Sequence, residues 1–340
     1  MALAALICLA GCGRQGPRAP FTDSRIPPGV EHRFYPPTGW AWGLVKVGDA
    51  PPARYGVSAP PRRPRADVVI LASYGEPAEV WFETAAALNG RGYVVWVLEP
   101  VGQGGSGRYV LPRDLGHAPG FDVDAVAARA MVERFVRRRP VILMASRSSA
   151  GAALDTVRAG LPVEGLILSA PAIAPDSGVD LDKARMMARI QLGWLRADGA
   201  GGWRRDGPDD RALGLTHDAD RGRLRLAWET ANPDLRMGGP TWSWRAAFAD
   251  EARREADARF DRVATPVLIL QPDKGSAAAK ALCARFTTCT TRLFGPADAA
   301  LHLEADDVRQ AWLTAISDFI EADIARFAPP PAQARLAPEG

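Results

Sequence analysis

The chain predicts an α/β fold: a mostly parallel sheet with helices on both faces and an inserted, mainly helical lid. Three observations predict it. From residue 67, short β-branched runs alternate with longer stretches that carry apolar residues at three and four spacing, the pattern of strands and helices in parallel succession. The alternation stops after residue 172 and resumes at 263, which leaves 173–262 as an insertion. The 340 residues, 47% of them hydrophobic and 24% charged, are enough to bury one core and carry such an insertion.

The elements follow in order. "DVVILAS" (67–73) reads as a buried strand, and "PAEVWFETAAALNGRG" as a helix closed by glycine. "YVVWVLEP" (93–100) is the second strand and "VDAVAARAMVERFVRRR" (123–139) the second helix. "PVILMAS" (140–146) leads through "RSSAG" into "AALDTVRAGL", a strand, a sharp turn and a helix, and "VEGLILSAP" (163–171) is the fourth strand. Beyond the insertion come "TPVLILQPD" (265–273), "ARFTTCTTRLFGPA" (284–297) and a terminal helix, "DVRQAWLTAISDFIEADIARF". This divides the chain into 1–12, an export signal; 13–66, a tether and entry segment; 67–172 and 263–326, the two parts of the core; 173–262, the lid; and 327–340, a disordered tail. An insertion at this point lies over the sheet's C-terminal edge, where such sheets bind ligands.

The first twelve residues, "MALAALICLAGC", are apolar but too short to span a bilayer. "LAGC" resembles a bacterial lipoprotein box, which would lipidate Cys12 and place the chain in the cell envelope facing the periplasm. Gly13 stands where an aspartate often retains such proteins at the inner membrane, which points to the outer one. The Gly-, Pro- and Arg-rich stretch that follows suits a tether. Of the four cysteines Cys8 would leave with the signal, so Cys283 and Cys289 remain; an oxidising periplasm would allow them to bridge a short loop, and otherwise they serve as small core hydrophobes. The net charge is only +3, with 42 basic residues scattered among 39 acidic ones, so no nucleic-acid surface stands out. The four histidines lie far apart without metal-ligand spacing, and neither a metal nor a cofactor is expected. Nothing in the sequence decides the oligomeric state.

Several stretches carry a family resemblance: "GQGGSGR" (102–108), "GHAPGFD" (116–122), "LTHDADR" (215–221), "NPDLRMGGPTWSW" (232–244) and "EADDVR" (304–309). On these motifs residues 67–322 resemble the α/β-hydrolases, and more narrowly the lysophospholipase L2 group of monoglyceride-lipase-like enzymes. The resemblance implies a serine nucleophile on a strained strand-to-helix turn, a histidine base, an orienting acid and backbone oxyanion donors. Read onto this chain, the Gly-x-Ser-x-Gly turn is Ser146 to Ala150, with Ser148 as nucleophile and the Ser149 N–H as one oxyanion donor. The second donor comes from the loop at Ala72 and Ser73, and Tyr74 either partly fills the pocket or packs under the lid. Asp273 matches the family's aspartate. The family histidine falls on Ala299; His302, three residues later, is the remaining base candidate.

Two classes of function stay open. The chain is either a lipid-anchored serine hydrolase that cleaves acyl esters such as lysophospholipids through Ser148, Asp273 and His302, or a non-catalytic relative. The relative would keep the lid and acyl pocket to bind lipid or another partner. In both, the expected ligand is an acyl lipid or an amphipathic small molecule, and the membrane is reached through the N-terminal anchor.

Overall fold

A computed structural model describes residues 18–136, 140–173 and 180–327. The signal stretch, Cys12 and the segment after Phe327 lie outside the described residues.

Eight strands form one sheet: β1 (Ala41–Val45), β2 (Ala53–Ser58), β3 (Ala66–Leu71), β4 (Tyr93–Leu98), β5 (Val141–Ser146), β6 (Gly165–Ser169), β7 (Val267–Pro272) and β8 (Cys289–Phe294). Their spatial order is β1-β2-β4-β3-β5-β6-β7-β8. From β4 to β8 every pairing is parallel, whereas β1 and β2 join antiparallel at one edge. The segment read as tether and entry therefore supplies two strands. Its signal was hidden because Gly43 and Gly56 break the apolar pattern. At Gly56 the reason is contact: a Cβ would fall 1.9 Å from the Trp40 ring that lies on it.

Period-two alternation along the central strands sorts the core into two layers. Val68, Ile70, Ile142, Met144 and Leu268 face α1 (Phe82–Gly90) and α8 (Asp306–Phe327). Val69, Leu71, Leu143, Leu168 and Ile269 face α2 (Asp122–Phe135), α3 (Ala150–Arg158) and α7 (Ser276–Cys283). β3, β5 and β6 are buried along their whole length, as strands covered on both faces must be.

Between β6 and β7 the chain inserts α4 (Leu181–Arg189), α5 (Ala219–Ala231) and α6 (Trp242–Asp257). Side-chain oxygens of Asp180, Asp218 and Thr241 cap the three helices. α5 lays Leu224 and Trp228 on the first layer, and α4 meets α6 through Ala184, Trp242 and Ala246. α6 also approaches α3, where a Cβ on Gly151 would fall 2.3 Å from the Glu251 carboxyl. Cys283 and Cys289 are joined by a disulfide between the end of α7 and the start of β8, with Cα atoms 5.4 Å apart. No helix among the described residues is long and apolar enough to cross a membrane.

Candidate active site

β5 ends at Ser146, one short 3-10 turn covers Arg147–Ser149, and α3 begins at Ala150. The turn must reverse within a residue, so one position takes a left-handed backbone. That position is Arg147, at φ 41°. A nucleophile elbow raises its nucleophile on this strained residue. The reading that centred the turn on Ser148 is thus displaced by one, and the residue raised at the tip is an arginine.

Ser148 turns its side chain toward the loop after β3. Its Oγ lies 2.9 Å from Ser73 Oγ and accepts from the Tyr74 N–H at 3.0 Å, while its own N–H donates to Ser73 Oγ at 3.2 Å. In an elbow the two oxyanion donors are the N–H after the strained residue and one from this loop. Here those are the N–H groups of Ser148 and Tyr74, and serine hydroxyls already occupy both. The donors expected at Ala72 and Ser73 are committed elsewhere: Ala72 N–H to Leu98 O at 2.9 Å, and Ser73 N–H to Glu76 Oε2 at 2.8 Å. Ser149 stands two places after the tip, and its hydroxyl donates to Ala72 O.

Arg147 folds inward onto Glu76, with Nη2 2.7 Å from Oε1 and Glu76 only 3% exposed. Burial pushes the Glu76 carboxyl up, but the Arg147 guanidinium and the Ser73 N–H outweigh it and hold the group below its ordinary range. His302 completes the cluster. Its ring stacks on Trp81 at 3.8 Å between centroids, and its Nε2 lies 3.7 Å from Glu76 Oε1, too far for a hydrogen bond. Burial pushes the imidazole down to about 4, so it is neutral at pH 7. Its Nε2 has no hydrogen-bond partner, and among the described residues no histidine nitrogen is bonded to Ser148 Oγ. A general base must reach the proton it takes; His302 faces a carboxylate and an indole instead.

Asp273 opens the short turn Asp273–Gly275 after β7 and is exposed to solvent. Its carboxylate lies against Gly295, where a Cβ would fall 1.9 Å from Oδ2, and among the described residues no imidazole is bonded to it. Ala299 presents a methyl group. His117, in the "GHAPGFD" loop, bonds Thr241 Oγ1 at 3.2 Å at the start of α6. The three predicted catalytic residues, Ser148, His302 and Asp273, are therefore not assembled into one proton path.

Tyr74 fills the space between the sheet edge and the insertion. Its Oη donates to Gly238 O at 2.8 Å, and its ring meets Trp244 edge-on at 4.7 Å. Burial drives the phenol pKa up. Gly116 allows this, since a Cβ there would lie 1.8 Å from the Tyr74 oxygen. Glu76 and Arg147 were missed as site residues. One signal was present, because "PVILMAS" ends its apolar run at Ser146 and leaves Arg147 as the first turn residue.

A family model described as serine aminopeptidase, S33 matches residues 62–287. Lysophospholipase L2 of Escherichia coli strain K12 is 29% identical over 282 residues, covering 74% of this chain and 79% of that protein. Among solved structures, a monoglyceride lipase from Saccharomyces cerevisiae superposes with a TM-score of 0.60 at 17% identity, covering 83% of this chain and 97% of that one. A monoacylglycerol lipase from Paleococcus ferrophilus gives 0.61 at 17% identity, over 79% and 98%. These two structural likenesses establish the fold.

Proposed function

The chain belongs to the serine aminopeptidase S33 family of α/β-hydrolases, and from that premise we propose that it binds an acyl lipid or other amphipathic ligand without hydrolysing it. In this reading it works at the bacterial envelope, tethered through lipidated Cys12. One observation carries the reading: the strained tip after β5 holds Arg147, ion-paired to Glu76 at 2.7 Å, where an elbow would raise its nucleophile.

Further features support it. The hydroxyls of Ser148 and Ser73 sit on the donors that would stabilise an oxyanion. Loss of a triad histidine from a serine protease costs on the order of a million-fold in turnover, and Ala299 offers no imidazole. The insertion acts as a lid held down by Tyr74, and it exposes Met186, Ile190, Leu192 and Trp194, an apolar surface suited to an amphipathic environment. Similarity to a lysophospholipase and to monoglyceride lipases supports an acyl chain as the ligand.

Three measurements test the reading. A fluorophosphonate probe should not label the purified protein; labelling that disappears in Ser148→Ala would establish a competent nucleophile and the hydrolase alternative. Equilibrium dialysis with a lysophospholipid should show saturable binding, and its absence removes the ligand assignment. Cys12→Ser should move the protein from the membrane to the soluble fraction, and unchanged fractionation removes the anchor.

A further inference from the structure

Away from the elbow, the loop before α5 meets the segment between β8 and α8. Glu304 organises this meeting. Its carboxylate is 1% exposed, and it accepts four hydrogen bonds. Oε1 takes the Asp298 N–H at 2.6 Å and the His217 Nδ1–H at 3.0 Å, while Oε2 takes the His217 N–H at 3.1 Å and the Ala305 N–H at 3.3 Å. A buried carboxylate at Nδ1 sets the imidazole tautomer, so the neutral ring presents a lone pair at Nε2.

That lone pair faces another acceptor. Asp298 Oδ2 lies 3.6 Å from His217 Nε2, beyond hydrogen-bond range. A cation carried on Nε2, a proton or a metal ion, would join these two atoms. For a tetrahedral metal with bonds of about 2.1 Å, two ligand atoms are separated by ~3.4 Å, close to the gap observed. A carboxylate that accepts from the second imidazole nitrogen, as Glu304 does, is also the usual outer support of a metal-bound histidine. All three side chains offer ligand atoms within 4.8 Å of one another. The neighbouring cation, Lys274 Nζ, is 3.6 Å from Asp298 Oδ1 and 85% exposed, so it can swing aside.

We propose that His217 Nε2 and Asp298 Oδ2 bind a divalent transition-metal ion of the zinc type, with Glu304 as the outer carboxylate and water completing the shell. Such an ion would clamp the insertion, which supplies His217, to the core, which supplies Asp298. The proposal is independent of the ligand assigned above.

The test uses full-length protein stripped with chelator. Titration with Co²⁺ should give one saturable site per chain with the visible absorption of a tetrahedral ion, and Zn²⁺ should displace it and raise the melting temperature. His217→Gln keeps a donor for Glu304 but removes the metal-binding nitrogen. It should weaken binding at least tenfold, as should Asp298→Asn, and both should abolish the zinc-dependent rise in melting temperature. Both variants should melt like the parent in chelator, which separates metal loss from misfolding. Equal Zn²⁺ affinity in parent and variants would mean an adventitious ion only, and no saturable binding in the parent would equally overturn the site.

Discussion

If the elbow has become a structural ion pair, breaking that pair must cost what buried ion pairs cost. The perturbation is Glu76→Gln. Glutamine keeps the volume and can still accept the Ser73 N–H now bonded at 2.8 Å; what it loses is the charge facing Arg147. The guanidinium is then left with 16% exposure and no anion at its 2.7 Å contact. Removing one partner of a buried pair costs about 3–5 kcal/mol. Unfolding entropy near 2.1 cal/mol/K per residue over the 340-residue chain turns this into a fall of about 4–7 °C in melting temperature. Arg147→Met should cost a similar amount by stranding Glu76. The double variant should recover most of it, because a pair replaced by neutral groups of like volume is often neutral. Urea melts of the four proteins form the cycle, and a coupling energy of at least about 2 kcal/mol is expected. The pH dependence has a fixed sign. Glu76 is held below its unfolded value, so its contribution is full above about 4.5 and is lost as pH falls through the folded value. A Glu76→Gln protein within about 1 kcal/mol of the parent, or an additive cycle, refutes the ion-pair reading of the elbow.

Other consequences follow from the packing around the site. Where α6 meets α3, burial pushes Glu251 up to about 9 and Glu255 to about 7, and Asp124 on α2 to about 7. These carboxyls bind protons more tightly folded than unfolded, so stability should fall as pH rises from about 4.5 to about 9. Glu251→Gln should gain on the order of 2 kcal/mol over the parent at pH 9 and nothing at pH 4, as read by denaturant melts. Tyr74→Phe should cost about 1 kcal/mol by loss of the bond to Gly238 O. Tyr74→Ala should cost roughly 3 kcal/mol while opening space beneath the insertion, seen as increased uptake of a fluorescent acyl probe. Reducing Cys283–Cys289, which closes a loop of sequence separation 6, should lower stability by about 2 kcal/mol, measured as the difference in melting with and without dithiothreitol.

How much of this was legible depends on what each residue's neighbours demand. The five parallel strands β3 to β7 were readable because burial on both faces forces unbroken apolar runs such as "DVVILAS" and "PVILMAS". β1 and β2 were not, since a largely exposed edge strand and a neighbour with a glycine under Trp40 leave no such run. The insertion was legible as helical pieces, because residues 173–262 carry no unbroken β-branched run that reads as a strand. The site was legible by position but not by register. The small-residue pattern around "RSSAG" settles on Ser148, whereas the strained position is Arg147.

The register turns on where the strand stops. Side chains alternate along β5, and the ladder with β6 persists to the Ser146–Ser169 pair, so the reversal can begin only at residue 147. Only one residue of a tight strand-to-helix turn takes the left-handed backbone, and a non-glycine residue there is costly. A chain that keeps this strain at an arginine must compensate it. The Glu76 contact supplies that compensation, and it explains why a charged side chain rather than a glycine occupies the tip. The same displacement places Ser148 one step into the turn, where its hydroxyl reaches the Tyr74 N–H. One register therefore accounts for both a serine hydroxyl displaced from the tip and bonded N–H groups at Ser148 and Tyr74. Converting Arg147 to serine would correct only the first of these. Arg147→Ser combined with Ala299→His should consequently stay far below the turnover of an esterase until Ser148 and Ser73 are also shortened to alanine to free the N–H groups of Tyr74 and residue 148. Brisk p-nitrophenyl ester cleavage by the two-substitution protein would show that the hydroxyls of Ser148 and Ser73 leave the donors accessible.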